Sequence, residues 1–260
     1  MVKEMKNSRT INRQDHILHL LEINDSISIR ELSEELDVSE WTIRRDVEEL
    51  HSRQIIDRYH GGIRLKDHSK DDLVFKEDSD LFSEKNRIGI KTAKILKEGS
   101  NVIIGSGSTV RFVAKALARF DKRLTIYTNS IEVCYELANK INYKVVCTGG
   151  NVHGDFFTLD GPVTEKLLLS NYFDVGVIGV SGLTVEEGLN IKSQLSALTV
   201  SIMIEHSDNL IVVADHSKFG RVYPNKIGDL RSVNTIITDA TPPPEFCEFF
   251  AKNNIRLILA

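Results

Sequence analysis

The chain has 260 residues, 41% of them hydrophobic and 27% charged, the balance of a globular protein with room for one small and one medium domain. Its three cysteines, Cys134, Cys147 and Cys247, form no CxxC pair, and its eight histidines fall in no metal-ligand spacing, so neither a disulfide framework nor a metal or cofactor is expected. A net charge of −4 gives no overall pull toward nucleic acid, so any such role has to arise from local arrangement. Met1 to Arg13 is polar, without the apolar stretch of a signal peptide, and no run approaches the ~18 apolar residues of a membrane span. A cytoplasmic protein with no membrane contact is expected.

In chain order, Ile17, Leu18, Leu20 and Leu21 mark a first helix. Ser28 stands as an N-cap with Glu31 in capping-box spacing, and Leu32 and Leu36 line a short second helix. Asp37-Val38 makes a turn, and Ser39 caps a third helix with Ile43, Val47 and Leu50 as its inward stripe. Two short helices joined by such a turn form a helix-turn-helix. Ile55 to Leu65, broken at Gly61-Gly62, reads as two short strands: the wing of a winged helix, or an ordinary turn. Lys66 to Asp72 is polar and charge-mixed, and reads as a linker. The expected domains are 1–66, a mainly α DNA-binding unit, a linker over 67–84, and 85–260.

Beyond the linker, a helix around Lys85 to Leu96 precedes an apolar run, Asn101 to Ile104, which ends in Gly105-Ser106-Gly107-Ser108-Thr109 and a helix to Leu117. Leu124 to Tyr127, Lys144 to Cys147, Val175 to Ile178, Leu210 to Val213, Thr235 to Ile237 and Arg256 to Leu259 are further strand candidates. Apolar strands spaced by helices predict an α/β domain with a largely parallel sheet covered on both faces. The 105–109 turn offers backbone N–H groups, hydroxyls and a helix dipole to a phosphate, although a glycine-rich turn can also be purely structural. It is neither a Walker A loop nor a nucleophile elbow. Other strand ends are small and polar: Thr128-Asn129-Ser130, Gly149-Gly150, and Gly179 to Gly182. Ligands of open α/β sheets bind beyond the carboxyl ends of strands, so these ends predict one shared pocket. Lys218 is either a cation for an anionic effector or a surface lysine.

On the third helix, Glu40, Trp41, Thr42, Arg44 and Arg45 face outward. Adjacent arginines suit guanine and phosphate, but Arg44 with Glu48 and Arg45 with Glu49 also have the spacing of ordinary helix ion pairs. From Trp41 to Lys66 there are six Lys/Arg against four acids, whereas from Met1 to Glu40 there are five against nine. Positive charge is therefore concentrated on the third helix and the wing, where phosphate contacts are made.

Val38-Ser39-Glu40-Trp41-Thr42-Ile43-Arg44-Arg45-Asp46-Val47, followed by Arg58-Tyr59-His60-Gly61-Gly62, resembles the N-terminal signature of the DeoR family of bacterial regulators. Gly107-Ser108-Thr109, Thr128-Asn129-Ser130, Gly149-Gly150 and Ser217-Lys218-Phe219-Gly220 resemble that family's sensor-domain motifs. The resemblance implies a sensor domain similar in fold to ribose-5-phosphate isomerase. It also implies a repressor of a carbohydrate-utilisation operon, released from double-stranded operator DNA by a phosphorylated sugar or sugar derivative. Ser39, Trp41, Thr42, Arg44, Arg45, Arg58, His60 and Gly61 are then the expected DNA contacts. Ser106, Gly107, Ser108, Thr109, Thr128, Asn129, Ser130, Gly149, Gly150 and Lys218 are the expected effector contacts. Trp41 occupies a variable position and serves either operator choice or packing. Two departures bear on the effector: Gly105 stands where the family often has Asp, and Gln194 to Thr199 lacks an acid that many members carry.

Two rivals remain on sequence alone. A sugar-phosphate isomerase needs a base, for which Asp155, Asp160, Asp174 and Asp215 are available, but the pocket-forming strand ends carry Ser, Thr, Asn and Gly. A winged helix can also bind proteins. The preferred expectation is a regulator, not an enzyme, acting as at least a dimer so that two recognition helices reach repeated half-sites.

Overall fold

The computed structural model describes residues 13–14, 16–18, 20–21, 26–52, 56–59, 62–65, 81–153 and 157–260. The chain divides into two compact units, 1–75 and 76–260. His60, Gly61, Asp155 and residues 66–80 of the expected linker region lie outside the described residues.

In the first unit, helical residues at 13–14, 16–18 and 20–21 precede α1 (Ile29–Glu35) and α2 (Glu40–Ser52). The Ser28 hydroxyl accepts the Glu31 N–H at 3.1 Å and the Glu31 carboxylate accepts the Ser28 N–H at 2.8 Å, completing the expected capping box. Hydrogen bonds from Ser28, first its backbone N–H and then its side chain, hold the Glu31 carboxyl below its usual value. Asp37, in the left-handed region at φ 49°, turns the chain between α1 and α2. Strands β1 (Ile56–Tyr59) and β2 (Gly62–Leu65) pair antiparallel, Tyr59 opposite Gly62, and Ile27 bridges to Ile63 alongside them. Ile17, Leu21, Leu32, Ile43, Val47, Leu50, Ile56 and Ile63 are all buried in one core. The wing is thus welded to the helices by apolar contact.

The second unit opens with α3 (Phe82–Ile95), which begins three residues before the expected boundary at 85. Its centre is a seven-stranded, wholly parallel sheet. The strands are β3 (Asn101–Ile104), β4 (Leu124–Thr128), β5 (Tyr143–Cys147), β8 (Phe173–Gly179), β11 (Ser207–Val213), β13 (Thr235–Thr238) and β14 (Arg256–Leu259), in the spatial order β14-β13-β11-β8-β3-β4-β5. Alternate residues go to opposite faces: Ile103, Ile178, Val212 and Ile236 join one core, and Val102, Ile104, Val177, Val213 and Ile237 join the other. Both faces are buried, which is why these strands read as unbroken apolar runs.

Around the sheet lie α4 (Ser108–Leu117), α5 (Ile131–Leu137), α6 (Pro162–Leu169), α7 (Gln194–Glu205) and α8 (Pro244–Lys252). Two small antiparallel additions were not expected from sequence. One is a hairpin of β6 (Asn151–His153) and β7 (Thr158–Asp160). The other is a three-stranded sheet of β9 (Gly182–Thr184), β10 (Gly188–Ile191) and β12 (Asn225–Gly228). Strands of three or four residues carry too little periodicity to announce themselves. From β3 the chain builds outward through β4 and β5, then returns to place β8 on the other side of β3. That reversal is a topological switch point, where the ends of β3 and β8 diverge and leave a crevice.

Candidate DNA-binding surface and effector pocket

On α2 the buried stripe of Ile43, Val47 and Leu50 fixes which side faces out. Glu40, Trp41, Arg44 and Arg45 are exposed and Thr42 is half-buried. Trp41 is 71% exposed, so of its two candidate roles the packing one is removed. The Ser39 hydroxyl accepts the Thr42 N–H at 3.3 Å and lies 2.9 Å from the Thr42 hydroxyl, capping the start of the helix.

The ion pairs differ from the bland expectation. Arg44 reaches back to Glu40 at 3.3 Å rather than forward to Glu48, and Glu48 instead takes Arg58 of β1 at 2.9 Å. Among the described residues Arg45 has no ion-pair partner. An exposed pair such as Arg44–Glu40 is worth little and leaves the guanidinium available. Asp46, which in the sequence reads as one more surface acid, is 1% exposed and takes the Arg13 guanidinium through both oxygens, at 2.5 and 3.0 Å. That carboxylate is therefore neutralised inside the unit, and the outward face of α2 is more positive than the residue count implies.

In the second unit the crevice at the switch point is a cavity of about 340 Å³. Ser106, Gly107, Ser108 and Thr109 form one wall where β3 passes into α4, and Gly179, Val180 and Ser181 form the adjoining one at the end of β8. Gly107 sits at φ 119°, a conformation that side chains disfavour, and caps α4 without any side-chain hydrogen bond. The first N–H groups of that helix therefore remain available to an anion.

Lys192, Ser193 and Ser196, where β10 leads into α7, supply a second helix start. Lys218, Arg221 and Tyr223 follow from the loop after β11, and His153 and Thr158 come from the β6–β7 hairpin. No Asp or Glu is among the described lining residues. The buried Asn190 holds this loop in place: its carbonyl accepts the Tyr223 N–H at 2.8 Å and its amide donates to the Arg221 carbonyl at 3.5 Å.

The three cations are distinct. Lys218 lies 3.7 Å from the buried Asp215 carboxylate, while Lys192 sits 5.1 Å over the Tyr223 ring. The Tyr223 phenol is held below its usual value, first by a hydrogen bond from Arg221 and then by the charges of Lys192, Arg221 and Lys218. A phenol drawn toward ionisation reports a positive potential at the cavity.

Of the ten effector contacts expected from sequence, the structure brings Ser106, Gly107, Ser108, Thr109 and Lys218 together. Thr128, Asn129, Ser130, Gly149 and Gly150 do not line the cavity; they build the layer behind it. The Asn129 amide donates to the Leu159 carbonyl at 3.2 Å and the Asn129 carbonyl accepts the Leu159 N–H at 2.7 Å, pinning the β6–β7 hairpin. Thr128 accepts the Ser130 N–H, and Ser130 caps α5 while bridging to Thr158. A side chain at Gly150 would collide with the Thr164 hydroxyl and the Asp160 carbonyl. Sequence reasoning missed Lys192, Ser193, Ser196, Arg221 and Tyr223. Only the Ser193 cap carried a local signal; the rest are joined by long-range packing.

Residues 13–69 match the DeoR-like helix-turn-helix domain, and residues 82–240 match the DeoR C-terminal sensor domain. The chain belongs to the DeoR family. Among its DeoR-type relatives, the glycerol-3-phosphate regulon repressor of Escherichia coli is 31% identical over 95% of this chain and 98% of its own length. The transcriptional regulator YulB of Bacillus subtilis is 33% identical over 89% of this chain and 90% of its own. The transcriptional repressor GlcR of the same organism is 30% identical over 94% and 93%. Solved structures are more distant. The full-length sorbitol operon regulator SorC of Klebsiella pneumoniae is 13% identical, covers 92% of this chain and 98% of its own, and has a TM-score of 0.44. Ribose 5-phosphate isomerase A of Neisseria gonorrhoeae is 20% identical over 54% and 53%, with a TM-score of 0.40. This DeoR-family chain is a DNA-binding transcriptional regulator rather than an enzyme. Among its described residues, no helix is long and apolar enough to cross a membrane.

Proposed function

We propose that the protein is a cytoplasmic repressor of a carbohydrate-utilisation operon, which a phosphorylated sugar or sugar derivative releases from double-stranded operator DNA. Ser39, Trp41, Thr42, Arg44, Arg45 and Arg58 supply the DNA contacts, together with His60 and Gly61. A homo-oligomer, at least a dimer, sets two recognition helices on repeated half-sites. The observation that carries the sensor half is the cavity at the switch point. Three cations, the α4 start and a row of hydroxyls converge on it, and none of its described lining residues is a carboxylate. Such a site favours a phosphate dianion. Ligand binding then redistributes the population between DNA-competent and released states.

Thermal-shift screening of sugar phosphates, followed by gel shifts with each hit, tests this reading. At least one phosphorylated sugar is expected to raise the melting temperature and free the DNA, and its unphosphorylated parent to do neither. Stabilisation by no phosphorylated compound removes the sensor half.

A further inference from the structure

One buried group beside the pocket is left unexplained by phosphate binding. Asp160, at the end of β7, is 1% exposed. Its Oδ2 accepts the Ser196 hydroxyl at 2.7 Å, and its Oδ1 has no hydrogen-bond partner among the described residues. Burying a carboxylate with an oxygen unmet is destabilising, and a neutral acceptor would serve Ser196 equally well. The charge therefore calls for a use beyond holding α7 in place.

The hydrogen-bond directions supply one. A carboxylate only accepts, so the Ser196 hydroxyl proton is committed to Asp160. Ser193 and Ser196 lie 3.1 Å apart, oxygen to oxygen, so the proton between them must come from Ser193. The Ser193 oxygen in turn accepts the Ser196 N–H at 3.3 Å. Both hydroxyl protons are thus turned away from the cavity that these serines line, and each oxygen keeps lone-pair capacity toward it. Elsewhere the cavity presents donors: the α4 N-terminus, Lys192, Lys218 and Arg221. The pocket thus offers hydrogen-bond acceptors at the serine pair as well as these donors.

We propose that Asp160, acting through Ser196 and Ser193 as a positioning residue, makes the pocket read a hydroxyl group of the effector beyond its phosphate. The inference rests on the reading of this cavity as a phosphorylated-effector site. The ligand class it selects is a phosphate ester of a polyhydroxy compound, anchored by phosphate at the donors and recognised by a hydroxyl at the serine pair. Inorganic phosphate uses only the first half of the site.

Calorimetric titration of the full chain separates the two halves. The probes are inorganic phosphate and a panel of glycerol 3-phosphate, ribose 5-phosphate, glucose 6-phosphate and fructose 6-phosphate. Asp160→Ala and Ser196→Ala are expected to weaken the tightest panel member by about tenfold or more, since a buried acceptor set is lost, and to leave inorganic phosphate within about twofold. Ser196→Thr, which keeps the hydroxyl, restores most of the affinity. Lys218→Ala weakens both probe classes. Ser196 is only half-buried, so its variants keep the test usable if Asp160→Ala does not fold. Relay variants that leave the sugar phosphate unaffected, or weaken both probe classes equally, overturn the hydroxyl-reading role and leave the phosphate site standing. Failure of the unaltered chain to bind any phosphate probe overturns the pocket reading and the relay together.

Discussion

The DNA-binding unit and the sensor unit use their charges in opposite ways. On α2 the proposed contact side chains are exposed and adjacent in sequence: Arg44 is loosely paired, and Arg45 has no ion-pair partner among the described residues. At the cavity, charges and dipoles from three separate stretches of chain are held by buried partners such as Asp215, Asn190 and Asp160. A surface that must meet a long polyanion needs reach and density of charge, whereas a pocket for a small anion needs fixed direction. Substitutions should therefore alter α2 additively and the cavity through its supports.

The largest effect is expected from removing the arginines. Arg44→Ala with Arg45→Ala should lose about 2–6 kcal/mol of operator affinity and reduce the salt slope by about 2, measured by fluorescence anisotropy across a salt series. Affinity unchanged in the double variant would make the unit a protein-interaction module instead. Next is a support of the helix rather than its face. Asp46→Ala should destabilise the first unit by about 2 kcal/mol, less than for a wholly enclosed pair, because Arg13 keeps contact with water. A melting temperature equal to that of the parent would show that the Arg13 pair holds nothing.

Trp41→Ala sharpens the contrast. With 71% of the residue exposed, stability should move by no more than about 0.5 kcal/mol while the preferred operator bases change in a binding-site selection. A large loss of stability would return Trp41 to a packing role.

The smallest effect is one of pH. His216 donates to Asp239 through a ring nitrogen at 2.6 Å, which raises the imidazole above its usual value. Burial pushes the Asp239 carboxyl up, but hydrogen bonds from the His216 ring and backbone outweigh it and leave the group lowered. The imidazolium contribution is complete below pH ~6.5 and is lost as pH rises through the raised folded value. The carboxylate contribution is complete above pH ~3.9 and is lost as pH falls through the lowered one. The pair thus supports the fold most between about pH 4 and 6.5, by roughly 0.5 kcal/mol given the exposure of His216. Melting curves at pH 6 and pH 8.5 should converge in His216→Ala; a pH difference that persists undiminished would assign the effect elsewhere.

How much of this was readable beforehand follows the same division. The capping box at Ser28 and Glu31, the Ile43, Val47 and Leu50 stripe, and the apolar runs of the central sheet are local patterns, and each stands where its spacing places it. The phosphate-type turn at Ser106 to Thr109 was likewise visible, because a strand, two glycines and a helix follow one another directly. The other side of the cavity was hidden. Asp160 and Ser196 are 36 residues apart, and the Arg221 loop is tied to the site by the buried Asn190. Asn129 and Gly150, polar or glycine residues at strand ends, instead carry the hairpin that forms the wall. The stretch 194–199 lacks an acid of its own, and the carboxylate at that helix start arrives from β7.

The central claim, that this cavity controls DNA affinity, is tested most directly by linkage. A duplex selected by the protein from a random pool is titrated by anisotropy with and without the sugar phosphate that most stabilises the chain. The Kd for DNA should rise by about 5–150-fold, and DNA should weaken sugar-phosphate binding by the same factor. A ligand that occupies the cavity, as shown by its loss in Lys218→Ala, yet leaves the Kd for DNA unchanged would contradict it.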